Sequence, residues 1–214
     1  MINIKTFVCN MMQENMYIVY DNTREAILID CGAYYPEEKK AIENYLEQQR
    51  LTPVRLIATH GHFDHNFGNA FVWRKYGLKP EVAMEDEPLM DIRQQMKMML
   101  GTNHPVEQAP TGELLNTDKV ISFGSHHLSI LSTPGHTPGS VTFYCETEHV
   151  AFTGDTLFRM SIGRTDFKGG SWTEMRHSLT HVLAKLPPDT KVYPGHGPAT
   201  TIAEELQLNP YMRE

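Results

Sequence analysis

The sequence predicts an α+β fold in which two β-sheets pack face to face with helices outside them, a four-layer αββα sandwich. Three observations lead there. Apolar runs of strand length cluster in each half of the chain, and in each half segments of helical periodicity follow them. No linker rich in Pro, Ser or charge divides the halves and no short-period repeat is visible, so residues 1–214 are expected to form one domain. A chain of 214 residues, 40% hydrophobic and 21% charged, is long enough to bury one sizeable core.

The chain opens with Ile2–Val8, Asn15–Tyr20 and Arg24–Asp30, apolar and alternating, with Asp21-Asn22 as turn residues; these predict an antiparallel meander. Cys31 then follows a strand end, where a small buried side chain fits better than a reactive thiol. Pro36 begins a helix with Ile42, Tyr45 and Leu46 on one face. Val54–Ala58 reads as a buried strand and runs directly into Thr59-His60-Gly61-His62-Phe63-Asp64-His65. Residues two apart in extended chain point the same way, so His60 and His62 can grip one ion. Asp64 and His65 follow as the chain turns. A loop this short serves two neighbouring ions better than four ligands bent onto one.

Asn69–Tyr76 is expected to be helical and stopped by Gly77, with a short strand at Glu81–Met84 after it. From Asp86 to Leu100 the spacing of Leu89, Ile92, Met96 and Met99 predicts one amphipathic helix, its methionine face packed into the core rather than forming a lid. Residues 101–118, with Pro105, Pro110 and Gly112, are expected to form a loop. Strands resume at Val120–Phe123, Leu128–Thr133, Val141–Tyr144 and His149–Thr153.

Three polar residues stand at the ends of these later strands. His136 lies in Thr133-Pro134-Gly135-His136-Thr137-Pro138-Gly139, a turn whose prolines and glycines fix the backbone. Asp155 emerges beside Gly154, placed so that a carboxylate can bridge two cations. His196 sits between Gly195 and Gly197 after Lys191-Val192. Singly each is a weak signal; in this order, after the His60 loop, they form a pattern. The remaining histidines are read as surface residues: His104, His126, His127 and His149 by their neighbours, and His177 and His181 on one face of a helix that Ser171–Glu174 caps.

Composition limits the rest. No apolar stretch approaches a membrane span, and the N-terminus has no export pattern. Cys9, Cys31 and Cys145 are odd in number and widely spaced, which suits buried thiols in a reducing compartment and predicts a cytoplasmic protein. A net charge of −7 argues against nucleic acid as a partner.

On these residues the chain resembles the metallo-β-lactamase superfamily and, within it, the glyoxalase II-like hydrolases. The likeness runs from Gln13–Tyr17 through Asp30-Cys31-Gly32, the His60 loop, the His136 turn and Gly154–Phe158. It continues through Gly163-Arg164-Thr165-Asp166-Phe167 and Gly195–Pro198 to Asn209-Pro210-Tyr211. The resemblance implies that His60, His62 and His136 hold one metal, that Asp64, His65 and His196 hold a second, and that Asp155 bridges them. Two departures concern substrate. Longer glyoxalase II enzymes carry a helical extension with cationic contacts to glutathione, whereas here only the Thr201–Leu208 helix follows His196. A lysine of those enzymes falls at Arg164, which therefore either holds a substrate carboxylate or amide, or pairs with Asp166.

The expected activity is hydrolysis of a small-molecule thioester, S-2-hydroxyacylglutathione or a relative, at two divalent ions. Zinc is favoured by the donors, with iron or manganese accepting similar ones. Such a pair lowers the pKa of a bound water from about 15.7 toward neutrality and supplies a hydroxide nucleophile, with Asp64 and Asp155 as the catalytic carboxylates. A persulfide dioxygenase using His60, His136 and Asp155 on one iron is the first alternative, and a catalytically silent binding protein the second. A lactamase is disfavoured because two-zinc examples commonly carry cysteine at the place of Asp155. A nuclease is disfavoured by the charge.

Overall fold

The first three strands form the predicted antiparallel meander: β1 (Asn3–Cys9), β2 (Glu14–Tyr20) and β3 (Glu25–Ile29). The computed structural model describes residues 1–101 and 106–213, with the backbone alone described at Met99 and Leu100. The predictions for Met99, His104 and Pro105 lie outside the described side chains and residues. From β3, helix α1 (Pro36–Gln49) leads to β4 (Thr52–Ile57), parallel to β3; α2 (Asn69–Tyr76) leads to β5 (Pro80–Ala83), parallel to β4. A 3-10 run at Met84–Met90 and helix α3 (Ile92–Leu100) precede β6 (Leu114–Leu115), which completes a six-stranded sheet.

The second sheet takes β7 (Val120–Phe123), β8 (His126–Ser132), β9 (Val141–Cys145) and β10 (Val150–Gly154) as successive antiparallel neighbours. A short hairpin, β11 (Leu157–Phe158) and β12 (Ser161–Ile162), and helix α4 (Trp172–His177) then bring the chain to β13 (Lys191–Pro194), parallel to β10. The pair β14 (Thr200–Thr201) and α5 (Ile202–Leu208) ends the fold, with the Thr201 side chain capping α5.

Alternation along the strands decides the layers. In β2 and β3, Tyr17, Val19, Ile27 and Ile29 point toward the second sheet and meet Phe123, Leu128, Ile130, Phe143 and Phe152. Their neighbours Met16, Ile18, Ala26 and Leu28 point the other way and meet Ile42 and Leu46 of α1 and Phe71 and Val72 of α2. The outer face of the second sheet is covered by Met175 and Leu179, with Val192 and Ile202 beneath. Helix, sheet, sheet and helix follow in that order, the αββα sandwich expected from the sequence.

Three expectations need correcting. The predicted helix Asp86–Leu100 is divided at Asp91, whose side chain accepts from Gln94 N at 3.1 Å and starts α3 afresh. Before it, Pro88 lies inside the 3-10 run and the buried Asp86 carboxylate is tied to the His60 loop and the His136 turn, both of which set these turns apart from α3. Ile92 and Met96 do pack into a core, against Phe63 and Phe67, but Met98 is 70% exposed. The loop expected over 101–118 contains β6, a strand too short to leave a pattern. Finally, His126 is not an ordinary surface residue: its Nδ1 lies 2.9 Å from Asp21 Oδ2 and its Nε2 3.2 Å from Glu148.

That contact belongs to a clamp between the sheets. Asp21, in the β2–β3 turn, accepts from Thr23 N and Oγ1 at 2.9 and 2.5 Å, and from Ser125 N and Oγ, in the β7–β8 turn, at 2.8 and 2.7 Å. Burial works against the ionised carboxylate, but the bonds from Thr23, Ser125 and His126 outweigh it and hold its pKa well below the usual range. A folded pKa below the unfolded value of about 3.9 gives stability that is present above that pH and is lost as pH falls through the folded pKa. Asp21→Asn is therefore expected to lower the urea-unfolding free energy by about 2 kcal/mol at neutral pH. The gap to the parent protein should narrow below about pH 4; a gap that stays constant would remove the charge from the explanation.

Candidate metal centre

The ligand loop is shaped by carboxylates and amides beneath it. Asp30, at the end of β3, adopts φ +53°, and its carboxylate accepts from Thr59 N and Oγ1, both at 2.7 Å, and from His65 Nδ1 at 3.1 Å. Asn66 Nδ2 donates to the carbonyls of His60 and His62 at 3.1 and 2.7 Å. Between them Phe63–His65 makes one 3-10 turn, which swings Asp64 and His65 inward behind the extended His60 and His62. The second half delivers its residues from strand ends. His136 comes from the β8–β9 turn, Asp155 follows β10, and His196 follows β13. Gly154 holds φ +50°, and at Gly195 a Cβ would stand 2.3 Å from Asp155 Oδ1, so a larger residue there would displace the carboxylate.

Hydrogen bonds at the outer ring nitrogens turn the inner ones toward a common centre. Thr59 Oγ1, already donating to Asp30, lies 3.1 Å from His60 Nδ1 and accepts its proton, leaving His60 Nε2 a lone pair. His136 Nδ1 donates to the Arg164 carbonyl at 2.7 Å, and His196 Nδ1 to the Met12 carbonyl at 3.1 Å. His65 Nδ1 faces Asp30. These are the outer partners that fix an imidazole's tautomer and aim before a metal binds.

All seven predicted ligands converge. The ligand atoms of His60, His62 and His136 lie within 4.8 Å of one another, as do those of Asp64, His65 and His196. His62 Nδ1 is 2.8 Å from His136 Nε2, which has no proton when Nδ1 carries it, so this Nε2 accepts from the His62 ring or offers its lone pair to a cation. Asp155 stands between the groups: Oδ1 is 3.3 Å from His65 Nε2, while Oδ2 is 3.4 Å from His136 Nε2 and 3.7 Å from His196 Nε2. Asp64 Oδ2 is 3.3 Å from His196 Nε2. His60 Nε2, His65 Nε2 and Asp155 Oδ1 are buried with no hydrogen-bond partner among the described residues, a costly arrangement for a protein interior and a fitting one for metal ligands.

The electrostatics divide the cluster in two. Burial and the neighbouring imidazoles keep His60 well below its ordinary pKa and His62 down at about 4, so both are neutral, as ligands must be. Burial opposes charge at His65 too, but Asp155, Asp64 and Asp30 outweigh it and favour the imidazolium. At His196 burial is likewise overcome, by the bond to Asp64 and the charge of Asp155. Asp155 and Asp64 are held low against burial, chiefly by His65. Protons and divalent cations thus compete for the same carboxylate-rich half.

Arg164 does not enter the cluster. Its guanidinium donates to both oxygens of Asp166 at 2.6 Å and lies 4.0 Å from the Phe167 ring centroid, at the edge of the pocket. Cys31 is buried and its thiol is pushed up to about 12 by burial, as its sequence position suggested. Three residues were not singled out from the sequence. Asp30 read only as a strand end. Glu14, fully buried and with no hydrogen-bond partner for its carboxylate oxygens among the described residues, lies 4.0 Å from His65 Nδ1, and burial raises its pKa well above the ordinary value. Asp86 accepts from Gly61 N at 2.8 Å, Thr137 Oγ1 at 2.6 Å and Gly139 N at 2.7 Å, fastening the His60 loop to the His136 turn. An acidic residue inside an apparent helix gives no sign of such a role.

The sequence profile of the metallo-beta-lactamase superfamily matches residues 10–196. The chain is 30% identical to the hydroxyacylglutathione hydrolase GloC of Haemophilus influenzae over 98% of both proteins. Among solved structures it is similar to the BLEG-1 B3 metallo-beta-lactamase, with a TM-score of 0.90 and 32% identity over 99% of this chain and 100% of that one. It is also similar to TTHA1623 in a di-iron-bound form, with a TM-score of 0.83 and 33% identity over 97% and 99% of the two chains.

Asp30→Ala, which frees His65 and unties Thr59, is expected to weaken metal binding by about 10–100-fold. Competition with a chromophoric chelator measures it; an unchanged affinity would mean that the ligands are aimed by other contacts.

Proposed function

Because the chain belongs to the metallo-beta-lactamase superfamily, whose fold binds divalent metals, we propose that it is a metal-dependent hydrolase that cleaves a small thioester. One observation carries the hydrolytic part: two groups of three ligands with Asp155 between them, their inner atoms buried and otherwise unpartnered. The thioester part is supported by the likeness to a hydroxyacylglutathione hydrolase along nearly the full length of both chains. S-2-hydroxyacylglutathione is accordingly the first substrate to try.

In this reading His60, His62 and His136 would hold one ion and Asp64, His65 and His196 the other, with Asp155 placed between the two groups. A bound pair supplies an acidified water and polarises the carbonyl. The protein's own contribution is placement. Asp64 lines the pocket at its inner end with its carboxylate ionised, so the oxygen left free beside a bound ion would accept a hydrogen bond from the attacking water and aim it. A thiol of ordinary pKa about 8.5 leaves as the thiolate, so the site needs no strong acid at the sulfur. The Cys31 thiol, buried and pushed up to about 12, is excluded as a nucleophile.

Hydrolysis of a β-lactam is the second reading: Asp155 in place of a cysteine speaks against it, and the likeness to the BLEG-1 B3 metallo-beta-lactamase at a TM-score of 0.90 speaks for it. The mononuclear dioxygenase is less supported: His60, His136 and Asp155 would suffice for it, leaving His62, Asp64, His65 and His196 converged without a role.

A turnover panel decides. Protein analysed for metal should hold two ions per chain and cleave thioesters equally with and without oxygen, and Asp155→Ala should lose more than about a hundredfold in kcat/KM, beyond what an outer-shell partner is worth. One iron with oxygen uptake on a persulfide would establish the dioxygenase. Lactam turnover without thioester cleavage would establish the second reading, and protein that binds no metal would end both.

A further inference from the structure

The cluster lies at the inner end of a cavity of about 730 Å³, within the size range of small-molecule sites. Its walls are apolar. Phe63 of the ligand loop, Leu89 of the Met84–Met90 turns and Met98 of α3 line it, Met12 and Phe158 stand beside His196, and Phe167 lies near His62. Met12 is 50% exposed and Met98 70% exposed, so two large apolar side chains face solvent at the mouth of a site, where a ligand gains by covering them.

The polar groups of the same cavity are largely spent. Gln95 Nε2 donates to the Gly61 carbonyl at 2.8 Å and to that of Leu89. Arg164 is held by both oxygens of Asp166. Among the described residues Lys168 and Glu85 carry no ion pair, one of each sign, so the cavity offers no surplus of charge to a polyanionic carrier.

Resting on the thioester reading, we infer that the acyl group this site accepts is apolar and larger than 2-hydroxypropanoyl: a medium alkyl chain or an aromatic ring, seated against Phe63, Leu89, Met98, Met12 and Phe158. The thioester carbonyl is then at the cluster, and the carrier thiol is small and neutral or zwitterionic, placed toward Lys168 and Glu85. Thioether and aromatic side chains adapt to such groups without demanding one shape.

The test uses the metal-loaded protein and thioesters of one small neutral thiol, N-acetylcysteamine, with acetyl, butanoyl, hexanoyl, octanoyl and benzoyl groups. In parallel, the matching S-alkyl thioethers, which cannot be hydrolysed, serve as inhibitors or, by calorimetry, as ligands. We expect kcat/KM to rise about fourfold per methylene up to hexanoyl, as burial of each methylene predicts. Thioether affinity should rise in step. Met98→Gln, at an exposed position where the length of the side chain is kept, should flatten both slopes while its thermal transition stays that of the parent. If thioesters are cleaved but the rate is flat or falls with chain length, the acyl inference is overturned and the thioesterase reading stands. If no thioester is cleaved, that reading fails, and the thioether series still decides whether the cavity takes an apolar ligand: affinity independent of chain length overturns it.

Discussion

Four carboxylates, those of Glu14, Asp30, Asp64 and Asp155, share one buried volume with five imidazoles. Charges taken out of water are tolerated only when paired and hydrogen-bonded, because their desolvation otherwise exceeds anything packing returns. The cluster meets this condition by division. Asp30 is saturated by Thr59 and His65, Glu14 is driven toward its neutral form by burial, and Asp64 and Asp155 are left with oxygens facing imidazoles whose outer nitrogens are already bonded. What the arrangement lacks in protein donors a cation supplies, and the fold around it follows from the need to bring these groups together.

That need explains the stitching between the two sheets. The His60 loop belongs to the first sheet and the His136 turn to the second, and Asp86 accepts from both. The Val141 amide donates to the Thr59 carbonyl at 2.9 Å across the same seam. Asn15 and Tyr17 of β2 reach the backbone around His196: Asn15 Nδ2 donates to the Pro194 and Gly197 carbonyls and Tyr17 Oη to that of Pro194, at 2.6–3.0 Å. Each ligand-bearing loop is thus fixed by polar side chains from other parts of the chain. This is how a centre built from loops acquires the rigidity of a core.

Much of this was legible in the residues. Alternation in β2 and β3 reports the face of the sheet directly, because side chains two apart share a face. The seven side chains that converge were all candidates in the sequence, most of them as polar residues at strand ends beside glycines. What stayed hidden was whatever depends on contacts distant in sequence. Asp30 and Asp86 are unremarkable acids until Thr59, Gly61 and Thr137 are placed against them, and that anchoring, with Pro88 beside it, accompanies the division of the Asp86–Leu100 segment. His126 was misjudged for the same reason, since Asp21 is over a hundred residues away. Arg164 shows the converse: the pairing with Asp166 was foreseen from sequence as one of two outcomes, but not that its carbonyl, rather than its side chain, would serve His136.

The antiparallel bridge between Glu14 and His196 joins the second strand to the last ligand loop. During synthesis the chain leaves the ribosome amino end first, so the His60 loop is exposed to the cell long before its partners exist. The cluster that the two halves of the chain build is therefore complete only once His196 has emerged and docked on β2.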